Sequence, residues 1–110
     1  LVLHNRDEAK AASLMADVQR AFPACDCGTG PNDPSGFDVV VNTTSLGMRA
    51  EDALPLQIEH LSARTDVAEI IMTPEITPLL AAAQQRGCRI GLGKYMLEEQ
   101  YKLVKAFLLL

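Results

Sequence analysis

Apolar positions along the chain recur with two spacings, and these predict alternating strands and helices. Leu1 to His4 is apolar enough for a short strand. Ala11, Leu14, Met15, Val18 and Phe22 then recur every three or four residues, which sets them on one face of an amphipathic helix. Asp7 is its predicted N-cap, Pro23 its stop, and the stripe of Met and Phe is expected to pack as core. Ala24 to Cys27 predicts a short edge strand, followed by a loop rich in Gly, Pro, Asn, Asp and Ser up to Gly36. Asp38 leads into Val39, Val40 and Val41, a continuous apolar run that predicts a fully buried central strand. Pro55 to Leu61 can hold a short helix carrying Leu56, Ile58 and Leu61, and Val67 to Met72 predicts a second apolar strand.

The second half repeats the alternation. Thr73-Pro74 ends the strand, and Thr77-Pro78 opens a helix with Pro in its first turn. Leu79 to Arg86 is strongly helix-forming, and Gly87 caps it. Cys88 to Gly91 predicts a last short strand. From Tyr95 to the C-terminus a final helix has Met96, Leu97, Leu103, Val104 and Phe107 available for packing, and His4 is expected to be buried in or beside the first strand. This order indicates an α/β domain with a mainly parallel sheet.

Composition narrows the function classes. At 110 residues the chain is one domain at most, and 48% hydrophobic with 22% charged residues is ordinary for a globular protein. A net charge of −4 argues against a broad nucleic-acid footprint but leaves room for a single phosphate site. No apolar run approaches transmembrane length, and Leu1-Val2-Leu3 is far too short for a signal peptide. Cys25, Cys27 and Cys88 form no zinc-like spacing and are expected as free thiols, consistent with a cytoplasmic location.

The candidate chemistry follows the Val run. Asn42, Thr43, Thr44 and Ser45 all carry hydrogen-bonding side chains, and Gly47 permits backbone conformations that other residues resist. Open parallel sheets bind ligands in the crevice beyond the carboxyl ends of their strands, so this polar segment is the predicted site. Asn5 and Arg6 end the first strand, where a guanidinium can grip a phosphate in a bidentate manner. His4 and His60 have no constellation of base and nucleophile around them.

Four segments together resemble the shikimate dehydrogenase family. Asn42 to Met48 is similar to its Asn-Ala-Thr-Ser-x-Gly-Met segment, and Ile70 to Leu80 to its Val-Tyr-x-Pro-x-x-Thr-Pro-Leu-Leu. Gly93 to Gln100 resembles its Gly-x-x-Met-Leu-x-x-Gln, and Asn5-Arg6 matches the end of the second strand of its cofactor domain. The resemblance implies a Rossmann-like three-layer α/β/α domain spanning residues 1–110 as an incomplete NADP-binding domain. The first strand, the Gly-rich loop and the first helix are expected upstream of Leu1, as is the family's N-terminal catalytic domain. No G-x-G-x-x-G occurs in the chain, and Gly91-Leu92-Gly93 is misplaced for one. An isolated chain of this kind is expected to be marginally stable or associated, and a homodimer is compatible with it.

By that resemblance Asn5, Arg6 and Asp7 meet the adenosine end of NADP. Thr44, Ser45 and Leu46 line the nicotinamide, Ile70, Gly93 and Met96 close over it, and Gln100 reaches the substrate. The implied reaction is reversible hydride transfer between NADP and shikimate, with no catalytic residue in this chain. Four departures stand out. Asp7 replaces a Thr or Ser, so it either repels a 2′-phosphate in favour of NAD or caps the helix. Met72 replaces a Tyr near the substrate, and Glu69 replaces an Asp. Tyr101 and Lys102 replace small residues, so quinate or another polyol acid also fits. The alternative outside this class is a non-catalytic α/β module that binds a nucleotide or a protein.

Overall fold

In the computed structural model, residues 1–109 are described, and they divide into two compact units, with the boundary between Asp33 and Pro34. The expected run of the last helix to Leu110 ends on a residue outside the described ones.

The first unit contains strand β1 (Val2–Leu3), helix α1 (Glu8–Ala21) and strand β2 (Gly28–Thr29). β1 and β2 are parallel, with Val2 opposite Gly28 and Leu3 opposite Thr29. Asp7 caps α1 as expected: its Oδ1 accepts from the N–H groups of Ala9 and Lys10 at 3.1 and 3.2 Å. Two expectations change here. β2 begins after Cys27 rather than spanning 24–27, because the Cys25 N–H turns back onto the Phe22 carbonyl at 2.9 Å and delays the extended backbone. The apolar stripe of α1 is only partly covered: Ala11 is buried, Met15 and Val18 are half-buried, and Leu14 and Phe22 are exposed. His4 is also exposed rather than buried, since β1 ends at Leu3, and its Nδ1 lies 3.0 Å from the Gly30 carbonyl oxygen.

The second unit holds strand β3 (Val39–Asn42), a short 3-10 turn (Ile58–His60), β4 (Asp66–Glu69), helix α2 (Pro78–Gln85), β5 (Ile90–Gly91) and α3 (Gly93–Phe107). Its sheet is parallel in the order β3-β4-β5. β4, not β3, is therefore the central strand. Among the described residues the Val run pairs with β4 alone, and the face carrying Val39 and Val41 is open, these being 58% and 45% exposed while Val40 is half-buried. Apolar side chains on opposite faces of a strand are buried together only when both faces are covered.

α2 carries the core. Leu79, Leu80 and Ala83 are buried on its inner face, against Val67 of β4 and Leu56, Leu61 and Cys88. Each fully buried Leu contributes about 1.5–3 kcal/mol relative to an exposed one. Thr77 is the N-cap, its hydroxyl accepting from the Leu80 N–H, with Pro78 at the first helical position, and Gly87 ends the helix at φ +84°. Burial raises the Cys88 thiol above its ordinary pKa, and Cys25, Cys27 and Cys88 are not disulfide-bonded.

α3 starts two residues earlier than the periodicity predicts, and its apolar positions do not pack. Met96, Leu97, Leu103, Val104 and Phe107 are all exposed, and Gly93 is the buried residue of the helix. An amphipathic pattern specifies a face, whereas its burial depends on a partner surface. Among the described residues no helix is long and apolar enough to cross a membrane.

Candidate functional site

The site is assembled where β3 and β4 end. β4 stops at Glu69 instead of reaching Met72, because the backbone at Ile70 and Ile71 turns to meet the start of α3. That meeting is very close. A Cβ on Gly93 would stand 2.1 Å from the Ile71 carbonyl oxygen and 2.8 Å from the Ile70 carbonyl carbon, so only glycine fits.

Beyond the strand ends lies a cleft of about 420 Å³, lined by Thr43, Thr44, Ser45 and Met48 on one side and Ile70, Ile71, Met72 and Thr73 on the other. Its lining is mostly apolar with a hydroxyl rim, the combination that seats a flat ring and orients its polar substituents. Of the residues expected here, Thr44, Ser45 and Ile70 line the cleft. Leu46 is half-buried and fixes the loop through its backbone, while Gly93 acts behind the wall against Ile70 and Ile71. Met96 and Gln100 are exposed on α3, outside the lining.

A buried polar network shapes the first wall. The Asn42 side-chain N–H2 donates to the Leu46 carbonyl at 2.9 Å and to both oxygens of Glu69 at 3.0 and 3.1 Å. Its Oδ1 accepts from the Thr44 N–H and hydroxyl at 3.1 and 2.7 Å, and the Thr44 hydroxyl in turn accepts from the Leu46 N–H. The Glu69 carboxylate also accepts from the Thr77 hydroxyl at 2.9 Å and the Ile70 N–H at 3.3 Å. Glu69 is 1% exposed, so each of its oxygens must find a partner inside the protein, and these donors provide it. Asn42 and Glu69 escape a reading of the sequence as a pair, since they lie 27 residues apart and only the β3–β4 register brings them together.

The loop after the network is held from outside. Asp52 accepts from the N–H groups of Gly47 and Arg49 at 3.0 and 3.1 Å, and these bonds hold its carboxyl below the ordinary range. Gly47 takes φ +112°, where a side chain would be strained.

In the first unit, Asn5 Oδ1 accepts from the Asp7 N–H at 2.8 Å, and the Asp7 carboxylate is engaged by α1. Arg6 is exposed and makes no hydrogen bond or ion pair with the other described residues. Its guanidinium needs no internal partner and is available to an anion.

Parallel strands alternating with helices, with a hydroxyl-rimmed cleft at the strand ends, define a Rossmann-like α/β module. No protein-family model matches the sequence. The chain is 35% identical over 100 residues to shikimate dehydrogenase (NADP(+)) of Paracoccus denitrificans, covering 91% of this chain and 36% of that protein. The fold is similar to shikimate dehydrogenase from Aquifex aeolicus, with TM-score 0.71 and 30% identity over 87% of this chain and 34% of that one. It also resembles quinate dehydrogenase from Corynebacterium glutamicum in complex with NAD, with TM-score 0.79 at 24% identity over 88% of this chain and 36% of that one. Over this segment the chain is similar to shikimate dehydrogenases, and it spans about a third of the length of the relatives it matches.

Proposed function

We propose that these residues form part of the cofactor-binding domain of a shikimate dehydrogenase-like oxidoreductase that uses NADP and interconverts shikimate and 3-dehydroshikimate in aromatic amino acid biosynthesis. The observation that carries this reading is the cleft where β3 and β4 end, walled by the Thr43–Ser45 and Ile70–Thr73 segments. When bound, the nicotinamide supplies the hydride chemistry. Thr44 and Ser45 would offer hydroxyls to its edge, Ile70 and Met72 would exclude water from its face, and Gly93 would set the position of the Ile70 wall. Gln100 is proposed to reach the hydroxy-acid substrate through its amide, which both donates and accepts.

Asn5 and Arg6 are the proposed contacts for the adenosine phosphate. Asp7 bears on the cofactor choice: its carboxylate is bound by two helix N–H groups, which supports the capping role and weakens the argument that it repels a 2′-phosphate. Arg6→Ala is therefore expected to reduce NADP use about tenfold or more, the loss of one charge-assisted phosphate contact, while sparing NAD. Equal losses with both nucleotides would remove Arg6 from the phosphate site.

Quinate is the second substrate to test, because Met72 places a thioether in the cleft where the resemblance implies a Tyr hydroxyl near the substrate. The full chain carrying these residues is assayed with shikimate or quinate and with NADP or NAD, following reduced nicotinamide by absorbance. Faster turnover with shikimate and NADP supports the proposal, preference for quinate reassigns the substrate, and no turnover with any pair rejects the dehydrogenase reading.

A further inference from the structure

We propose that Glu69 is a positioning residue for the cofactor cleft, acting through Asn42 to hold Thr44 in its binding orientation; this rests on the nicotinamide reading of that cleft. Glu69 is buried and does not line the cleft, yet it sits at the head of a directional chain of hydrogen bonds that ends in the cleft wall. Asn42, Thr77 and the Ile70 backbone all donate to it. A carboxylate is an acceptor on both oxygens, and that is what three converging donors demand.

The consequence propagates through Asn42. With its N–H2 committed to Glu69 and Leu46, its Oδ1 must face Thr44, where it takes both the backbone N–H and the hydroxyl proton. The Thr44 hydroxyl then has its proton fixed and turns an acceptor lone pair to the Leu46 N–H. The polar turn that forms one wall of the cleft is thus set by a pair of acceptor oxygens on the neighbouring strand.

Glutamine has the same shape but cannot replace this. Asn42 Nδ2 contacts both oxygens of Glu69, so whichever one becomes an NH2 group would oppose a donor. Flipping the Asn42 amide to relieve the conflict would set its oxygen against the Leu46 carbonyl and its NH2 against the Thr44 N–H. Either orientation of an amide at position 69 leaves one buried conflict. Aspartate is smaller by one methylene but keeps acceptors on both oxygens. The two substitutions therefore separate acceptor chemistry from volume.

The test uses the full chain with Glu69→Gln and Glu69→Asp, titrated with NADPH by its fluorescence, alongside NMR of the Asn42 side-chain amide and the Thr44 backbone amide. E69Q is expected to weaken NADPH binding by about tenfold or more and to shift both amides, while E69D stays within about threefold with both amides near their original positions. The reverse order, with Gln tolerated and Asp damaging, would show that Glu69 only fills space and would overturn the proposal. Should E69Q fail to fold, E69D decides alone: retention supports the proposal and a loss beyond about tenfold overturns it. If the unsubstituted protein does not bind NADPH, the nicotinamide reading fails, and the amide shifts in E69Q against E69D still decide whether Glu69 orients Asn42.

Discussion

Replacing Gly93 by alanine tests how the cleft wall is built. The added methyl would lie 2.1 Å from the Ile71 carbonyl oxygen, 2.6 Å from the Ile71 carbonyl carbon and 2.8 Å from the Ile70 carbonyl carbon. All three neighbours are backbone, so no side-chain rotation relieves the contact. Reaching an ordinary separation of 3.4 Å requires the start of α3 and the 70–71 segment to part by about 1.3 Å, the difference between 3.4 and 2.1 Å. Overpacking of this kind costs about 3 kcal/mol, at the upper end for an added carbon in a packed interior. A displacement of about 1 Å in a binding wall can cost on the order of a hundredfold in function. Urea denaturation of the full chain, read beside NADPH titration, measures both effects. Gly28→Ala is the matched control, because a Cβ there meets nothing within 4 Å. A Gly93→Ala protein within about 0.5 kcal/mol of the parent, the range of an ordinary surface change, and with binding intact would refute this tight backbone junction.

The remaining predictions concern the loop and the helix cap. Asp52 has a lowered folded pKa, so its stabilisation of the 47–52 loop is fully present above the ordinary value of 3.8 and is lost as pH falls below it through the folded value. Hydrogen exchange at the Gly47 and Arg49 amides should show protection that Asp52→Asn reduces at neutral pH; unchanged exchange in the variant would contradict the clamp. Thr77→Val removes both the cap of α2 and a donor to Glu69, and should cost about 1–2 kcal/mol in urea titration, with no loss meaning that the cap is redundant. Cys88 should react with a thiol reagent much more slowly than Cys25, since burial raises its pKa whereas Cys25 is half-buried; equal rates would argue for opening of the core around α2.

The features legible in the sequence are those set by near neighbours. Asp7 and Thr77 announce their helices because capping needs only a side-chain oxygen two or three residues ahead of an N–H. Thr44, Ser45 and Ile70 fall in the cleft lining because they follow strand ends that the apolar runs locate. Burial is less legible. Three consecutive Val residues suggest a strand covered on both faces, but whether a second layer covers each face depends on the rest of the chain and not on the strand's own residues. The same holds for α3, whose apolar face is plain in the sequence while its exposure is not. Glu69 is the extreme case. Its substitution for Asp is visible, but its control of Asn42 depends on the parallel register that places Asn42 opposite Glu69.

The central claim is that nicotinamide sits in the cleft at the ends of β3 and β4. It is tested most directly by NMR of the full chain with methyl-labelled Ile, Met and Thr, measuring nuclear Overhauser contacts to the nicotinamide protons of saturating NADP. The account predicts contacts to the methyls of Ile70, Met72 and Thr44, and their loss in Gly93→Ala. Bound NADP with no contact to any of these methyls would contradict it.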